Sequence, residues 1–492
     1  MQPFPGIDRA DRSAGPSRAR LPHSPLRFRL RSWIAACLTA ILVILGQPLA
    51  AQRAPGSDTV TLEALLDSVA ARHPTVRAAQ ARVGAARGAR VTAGAFRNPM
   101  LSYDVENAPL PGRMSPPMER ETMVMATFPL EVLYQRGPAV RRANGEIQAA
   151  EAEATVARQR MLLGAARAFY RAALAERELD AARDLGGWLD TIVAYNAIRV
   201  AEGVAAEADL LRSRLERDRA SADAAVTEAE LMRARADIAG LLGDASAAFA
   251  TMAMATTDDP LAMPTASLLG PDLAAPPDDP TGRGASGPAA GSGRPLISAA
   301  LAGRGETRAA HARLSAASAS IVSERRMRVR DLGATIGTKR SEGSLSLLAG
   351  VSLPVPLFDL NRGEIMRATA ERDAAAFELA AEERAVSAEV MGAYEAARVL
   401  TDRATTLGGR APDGYLARAD EARRIALGAY QEGAIPLMQV IDAARAWGEA
   451  RVAFYRTLFA QHESVLMLLA ARGIDLAAAV PSRGTIPPNP TR

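Results

Sequence analysis

The sequence predicts a mainly α-helical chain with a small transmembrane β part, and three observations carry that prediction. Long runs rich in Ala, Arg, Glu and Leu place apolar residues three and four apart, the spacing of a helix face. Two short stretches, "GSLSLLAGVSLPVPLF" and "ETMVMATFPL", instead alternate in character and stop at prolines. The order helix, strand pair, long helix, turn and returning helix then occurs twice, which marks an internal duplication. Aromatics are only 4% of the 492 residues, too few for several thick cores and in keeping with closely packed helices.

At the N-terminus, Arg27, Arg29 and Arg31 precede the apolar run "WIAACLTAILVILG" and the small-residue segment "QPLAAQ". This is the layout of an export signal, assigned to residues 1–51. The run is shorter than the roughly 20 apolar residues of a membrane-spanning helix, and no later stretch approaches that length. Cys37, the only cysteine, stands at the front of the run. The expected cleavage near Ala51 removes it and leaves a mature chain without thiol chemistry.

The first repeat is assigned to residues 52–243. "VTLEALLDSVAARHPTVRAAQARVGAARGAR" has a helix face of Leu62, Leu65, Leu66, Val69 and Val76, broken at His73-Pro74. "MLSYDVEN" and "ETMVMATF" read as the strands of a hairpin over 100–129, around the loop "APLPGRMSPPMER". A helix is expected from about Pro138 to Leu185, with Ala at most of its three-four positions, small enough to bring helix axes close. "DLGGWLD" is read as the turn at its far end, before a return through "NAIRVAEGVAAEADLLRSRL".

A Pro/Gly-rich linker, 244–294, leads to the second repeat, 295–476. This holds one helix from Pro295 to Arg328, a hairpin over 331–355 from "DLGATIGT" and "LSLLAGVSL", and a helix from about Arg362. A turn at "LGGRAPDGY" precedes the return through "ALGAYQEGAIPLMQVIDAARA". Both returning arms carry Glu-Gly, at Glu202-Gly203 and Glu432-Gly433. Residues 477–492 read as a disordered tail.

Four short strands cannot make a stable sheet alone and would leave two edges open. Their alternation suits a wall with lipid on one side and water on the other, and their length is near the roughly 9 to 11 residues such a wall needs. Three copies would pool twelve strands into a closed barrel, with the long helices continuing as a matching tube. Pro129, Gly137, Pro354, Pro356 and Gly363 mark the junctions where strand passes to helix. Phe96, Phe128, Tyr134 and Phe358 lie near them, where an interfacial aromatic girdle belongs. The hairpin loops then face outside the cell.

In this order of elements, and in "RNPMLSYDVEN", "ERETMVMATFPLEV" and "VSLPVPLFDLNRGEI", the chain resembles the TolC-like outer-membrane efflux factors over nearly all its length after the signal. It is most similar to the branch that serves heavy-metal cation efflux. The resemblance implies a homotrimeric channel-tunnel: a barrel in outer-membrane lipid and a helical tube across the periplasm. The tip of that tube would dock to a periplasmic adaptor (membrane fusion) protein and an inner-membrane pump of RND type. It also implies a passive exit duct, not an enzyme, working without a cofactor.

Candidate sites follow from the turns and the first hairpin. Asp184 and Asp190 flank the first expected turn; Arg410, Asp413, Arg418 and Asp420 lie in or after the second. In a trimer each recurs round a narrow mouth, where rings of charge gate ions or dock a partner; the plainer alternative is solvated turn charge. Met100, Met114, Met118, Met123 and Met125 offer soft thioether ligands suited to Cu(I) or Ag(I), or flexible apolar filler. His73, His311 and His462 have no zinc-type spacing and read as surface or packing residues. No nucleophile-base arrangement, phosphate loop or dinucleotide fingerprint is present. Net charge is +4 with both signs mixed along the helices, so no phosphate-tracking stripe and no nucleic-acid partner is expected. The second reading is an exported soluble coiled-coil protein with structural or adhesive work, distinguished by whether the mature chain needs detergent.

Overall fold

The computed structural model describes residues 59–108, 120–243, 253–254, 293–341, 343–407 and 414–479. The expected export signal with Cys37, most of the linker, the first hairpin loop, Arg410, Asp413 and the end of the tail lie outside the described residues.

Thr61 opens helix α1 (Leu62–Arg72) by accepting a hydrogen bond from Ala64 N at 3.2 Å. His73 ends it and starts α2 (Pro74–Gly94): its N–H donates to Val69 O at 3.1 Å, and its Nδ1 accepts from Thr75 N at 3.2 Å. Pro74 fits because the first helical position has no N–H partner to lose. A two-residue strand, β1 (Thr59–Val60), pairs in parallel with β4 (Ala253–Met254) from the linker.

The first hairpin is β2 (Met100–Glu106) and β3 (Glu121–Pro129). It feeds α3 (Val132–Ala201), a single helix of 70 residues, about 105 Å long at 1.5 Å per residue. Helix α3 starts before Pro138 and runs through Gly186 and Gly187, so the turn expected at "DLGGWLD" is not there. Leu185, Trp188, Leu189 and Ile192 bury that stretch, and their packing outweighs a propensity cost of about 1 kcal/mol per glycine. The chain reverses instead after Glu202 and returns as α4 (Glu207–Leu242).

The second repeat differs at its start. One helix was expected from Pro295 to Arg328, but α5 (Gly293–Gly303) and α6 (Gly305–Arg326) are separated at Arg304. No proline is present there. Arg304 takes extended backbone angles while its guanidinium reaches Glu306 and Glu389, at 3.3 and 2.5 Å. A Cβ on Gly305 would come 2.7 Å from Val156 Cγ2, so only glycine fits against α3. The second hairpin is β5 (Gly333–Ser341) and β6 (Ser344–Ser352). After it come α7 (Arg362–Leu407), α8 (Tyr415–Gln431), α9 (Leu437–Ala471) and a short α10 (Leu476–Ala479).

Helix α3 packs on α2, α4, α6 and α9. Its small residues do what the alanine stripe predicts: a Cβ on Gly145 would come 2.9 Å from Ala316 Cβ on α6. The largest core gathers Leu65, Leu66, Val69, Leu162, Tyr170, Ile238, Val390, Phe459 and Leu466 from α1, α3, α4, α7 and α9. A second lies nearer the reversals and holds Trp188, Ile192, Tyr430, Val440 and Ile441. The two hairpins join as one antiparallel sheet in the order β2-β3-β5-β6, leaving β2 and β6 as edges.

Candidate functional site: a two-faced sheet and two matching turns

Residues directly opposite in an antiparallel pair share a face, so the register divides the sheet. One face carries Leu101, Tyr103, Val124, Ala126, Phe128, Ile336, Leu345, Leu347 and Val351, with Thr338 and Arg340 toward the loops. Eight of these side chains stay open, from 43% exposed at Val124 to 75% at Leu101. Water cannot favour such a wall, whereas lipid can. The other face carries Ser102, Asp104, Glu106, Glu121, Thr127, Thr335, Lys339, Ser341 and the serines of β6. Here Lys339 pairs with Glu121, Ser341 Oγ donates to Glu121 Oε1 at 2.7 Å, and the Thr127 and Thr335 hydroxyls meet at 3.1 Å.

Where sheet passes to helix, side chains replace the ladder. Pro129 is the last paired residue of β3, opposite Gly333, and Leu130 N donates to Leu332 O at 2.7 Å. Gly137 falls inside α3, Pro354 and Pro356 in the coil after β6, and Gly363 at the start of α7. Phe96 and Phe358 are open, at 67% and 99% exposed, and Phe128 is partly so. Tyr134 is turned inward instead, its hydroxyl donating to Val329 O at 2.5 Å.

Several junction residues escaped the sequence reading. Glu131 is buried and pairs with Arg97 at 3.0 Å. Asn361 is buried with φ +55°, its N–H held by Asp359 Oδ1 at 2.9 Å. Its side chain accepts from Arg330 Nη2 at 2.7 Å and donates to Glu324 O at 2.9 Å. The signal that could have found it is "DLN" before a helix, since Asp followed two residues later by Asn suits an Asx turn into left-handed backbone.

At the other end of α3 the two repeats converge on one geometry. After α3, Gly203 has φ +74°, Gly203 N donates to Val200 O at 3.0 Å and Val204 N to Arg199 O at 2.9 Å. After α8, Gly433 has φ +75°, Gly433 N donates to Tyr430 O at 3.0 Å and Ala434 N to Ala429 O at 2.8 Å. This double bond pattern around a left-handed glycine closes helix ends. The turns are tied together: Tyr430 Oη donates to the buried Asn196 Oδ1 at 2.6 Å, and Tyr195 Oη to Gln431 O at 3.2 Å. Arg199 lies 5.6 Å from both ring centroids. Burial raises the Tyr430 phenol above its ordinary pKa, against the opposing Arg199 charge.

The charged residues singled out at the expected turns sit along the arms. Asp184 accepts from Arg451 of α9 at 2.5 Å, and Asp190 pairs with Arg217 of α4 at 3.5 Å. Asp420 accepts from Trp447 Nε1 at 2.5 Å. The Trp447 ring is flanked by Arg423 at 4.4 Å and Arg451 at 5.0 Å. Arg418 is exposed on α8. Met100, Met123 and Met125 lie on the polar face of the sheet, while Met114 and Met118 fall outside the described residues. His73 caps two helices, His311 is exposed and His462 is buried, stacked on Tyr170. Among the described residues no helix is long and apolar enough to cross a membrane, and no cluster of His, Cys, Asp and Glu could hold a metal ion.

The family model described as outer membrane efflux protein matches residues 65–244 and 296–473. The chain is 24% identical over 401 residues to CzcC, the cobalt-zinc-cadmium resistance protein of Cupriavidus metallidurans, covering 81% of this chain and 86% of that protein. Two solved structures share its fold. CusC matches with a TM-score of 0.66 and 19% identity, over 84% of this chain and 92% of that one. The outer membrane protein VceC of Vibrio cholerae matches with a TM-score of 0.66 and 18% identity, over 84% and 96%.

Proposed function

Because the chain belongs to the outer membrane efflux protein family, we propose that three copies join through their free edges, β6 of one beside β2 of the next, and close a twelve-stranded barrel. The observation that carries this reading is the sheet with one apolar face, one polar face and two unpaired edges. The apolar face meets outer-membrane lipid, the polar face lines the exit, and the helices continue the duct through the periplasm. The protein acts as a passive conduit: it binds no reacting group and does no chemistry.

An inner-membrane pump of the RND type delivers the solute through a periplasmic adaptor that docks at the Glu202-Gly203 and Glu432-Gly433 turns. Asp184, Asp190 and Asp420 hold the arms behind those turns, and Arg410, Asp413 and Arg418 offer charge at the α7–α8 interruption, as docking or gating groups. The CzcC relative supports heavy-metal cations as the solute class. The purified protein should be trimeric only in detergent and should conduct ions in planar bilayers. Deleting its gene should sensitise cells to cobalt, zinc or cadmium. A detergent-free soluble monomer without conductance would favour the coiled-coil alternative; conductance with unchanged metal sensitivity would keep the channel and remove the metal.

A further inference from the structure

Helix α7 carries an apolar stripe that no described residue of its own chain covers. Ala370, Ala374, Phe377, Ala381, Ala385 and Ala388 are spaced four, three, four, four and three apart. All are exposed, Phe377 at 76%. Helix α2 carries a second stripe: Thr92, Ala89, Ala85, Ala81, Ala78 and Pro74, read backward, are three, four, four, three and four apart and likewise exposed. We propose that the α7 stripe of one copy takes the α2 stripe of the next, residue against residue, as a helical seam between copies. The proposal rests on the reading that three copies close a barrel, and it adds the surface that joins their helices.

Topology brings the stripes together. Helices α2, α3, α6 and α7 stand side by side in the order of β2, β3, β5 and β6, so α2 and α7 end the row as β2 and β6 end the sheet. Helix α2 leads into β2, and β6 leads into α7. Pairing β6 with β2 of the next copy therefore sets α7 antiparallel beside that copy's α2. On α7 the buried Ala368, Ala375, Val386 and Val390 stand about 150° round the helix from the stripe, at about 100° per residue. A ring of twelve helices, four from each copy, sets the neighbours of each helix about 150° apart.

Contacts within one copy set the register. Arg90 of α2 donates to Asn144 of α3 at 2.7 Å, and the next residue, Gly145, lies against Ala316 of α6. Helix α6 is tied to α7 by Asn361 donating to Glu324 O at 2.9 Å and by Arg304 with Glu389 at 2.5 Å. Ala316 lies two-fifths of the way from Glu324 to Arg304, and the matching point between Asn361 and Glu389 is Arg372. Rotation about an axis along the helices keeps that level, so Arg90 of one copy stands level with Arg372 of another. This register pairs Ala370 with Thr92, Ala374 with Ala89, Phe377 with Ala85, Ala381 with Ala81, Ala385 with Ala78 and Ala388 with Pro74. The two stripes coincide along their whole length. Phe377, the one large side chain, enters beside Gly84, Ala85 and Gly88, and both glycines have open space for it. On one border Arg82 comes level with Glu378 and Glu382; on the other Arg77 comes level with Arg384, an exposed like pair that solvent screens. Charge on both borders excludes lipid from the stripe.

The test is disulfide cross-linking of the full chain, carrying Cys37→Ser, in native outer membranes. Ala81→Cys with Ala381→Cys should link copies under oxidant into a covalent trimer on non-reducing gels, while each single variant stays monomeric. Thr92→Cys with Ala381→Cys, about three helical turns out of register, should not link. Phe377→Glu should abolish the Ala81–Ala381 link, because it buries a charge in the seam. A link within one copy, a link to another protein, an equal link in the shifted pair, or a link that survives Phe377→Glu overturns the seam. Absence of any link also overturns it, and maleimide labelling of single cysteines along β6 then separates the two levels. Alternating reactivity removes the seam and keeps the barrel; uniform reactivity removes both.

Discussion

The two repeats build the same long arm in two ways. Helix α3 spans its 70 residues without interruption, whereas the matching stretch of the second repeat is divided into α7 and α8. Counted back from the two Glu-Gly turns, Asp190 and Asp420 hold the same position; counted forward, so do Arg217 and Trp447. In the first repeat the pair is an ion pair at 3.5 Å with side chains 40% and 61% exposed. In the second the same carboxylate position accepts from a buried indole that stands between two guanidinium groups. A continuous helix holds its own course, so its cross-arm contact can be weak. A short helix cut from its arm must be held by the neighbour, and α8 is held by aromatic packing.

The largest expected effect breaks that comparison directly. Trp447→Ala should cost about 3 to 5 kcal/mol in denaturant unfolding, as for a large buried aromatic. Arg217→Ala at the matching position should cost about 0 to 1 kcal/mol. Equal costs would show that the repeats hold their arms alike.

Next is Tyr430→Phe, expected to cost about 1 to 3 kcal/mol because Asn196 is fully buried and would lose the hydroxyl. Tyr195→Phe, at an exposed contact with Gln431, should cost less. Thermal melting of the two variants side by side reads the difference.

The helix breaks give a pH test. His73 breaks the first repeat with a proline, while Arg304 breaks the second with charge. Burial raises the Glu306 carboxyl, but the Arg304 hydrogen bond and charge outweigh it and leave its pKa below the ordinary value. A depressed acid contributes stability above its unfolded pKa and loses it as pH falls through the folded one. Glu306→Gln should therefore cost about 1 kcal/mol at neutral pH, and the gap from the wild type should close as pH falls below the ordinary carboxylate range. A gap that is constant with pH would remove the charge from the account.

Glycines give the smallest effects, and their signs separate the true turns from the apparent one. Gly203→Ala and Gly433→Ala should each destabilise by about 1 kcal/mol, because both need left-handed backbone. Gly186→Ala and Gly187→Ala should each stabilise by about 0.5 to 1 kcal/mol, since both are helical with open space for a Cβ.

These glycines also show what was legible in the sequence. Period-two alternation revealed the strands and prolines marked the ends of β3 and β6, because a wall between two solvents writes its faces into alternate residues. The His73 break was legible through Pro74. The Arg304 break was not, because its partner Glu389 is distant in sequence and only the folded chain brings the two together. Gly-Gly at 186–187 imitated a turn, since propensity is local while the burial that overrides it is tertiary. The turns themselves were visible as a repeated Glu-Gly pair, but without hydrogen bonds nothing marked it as the reversal.

One sheet with a lipid face and a water face underlies the exit duct, and labelling along β6 tests this most directly. With Cys37 replaced by serine, single cysteines from Ser344 to Ser352 would be probed in native outer membranes with a small water-soluble maleimide. Reactivity should alternate, high at Ser344, Ser346, Leu348, Gly350 and Ser352 and low at Leu345, Leu347, Ala349 and Val351. A profile without alternation would contradict the barrel wall and with it the exit duct.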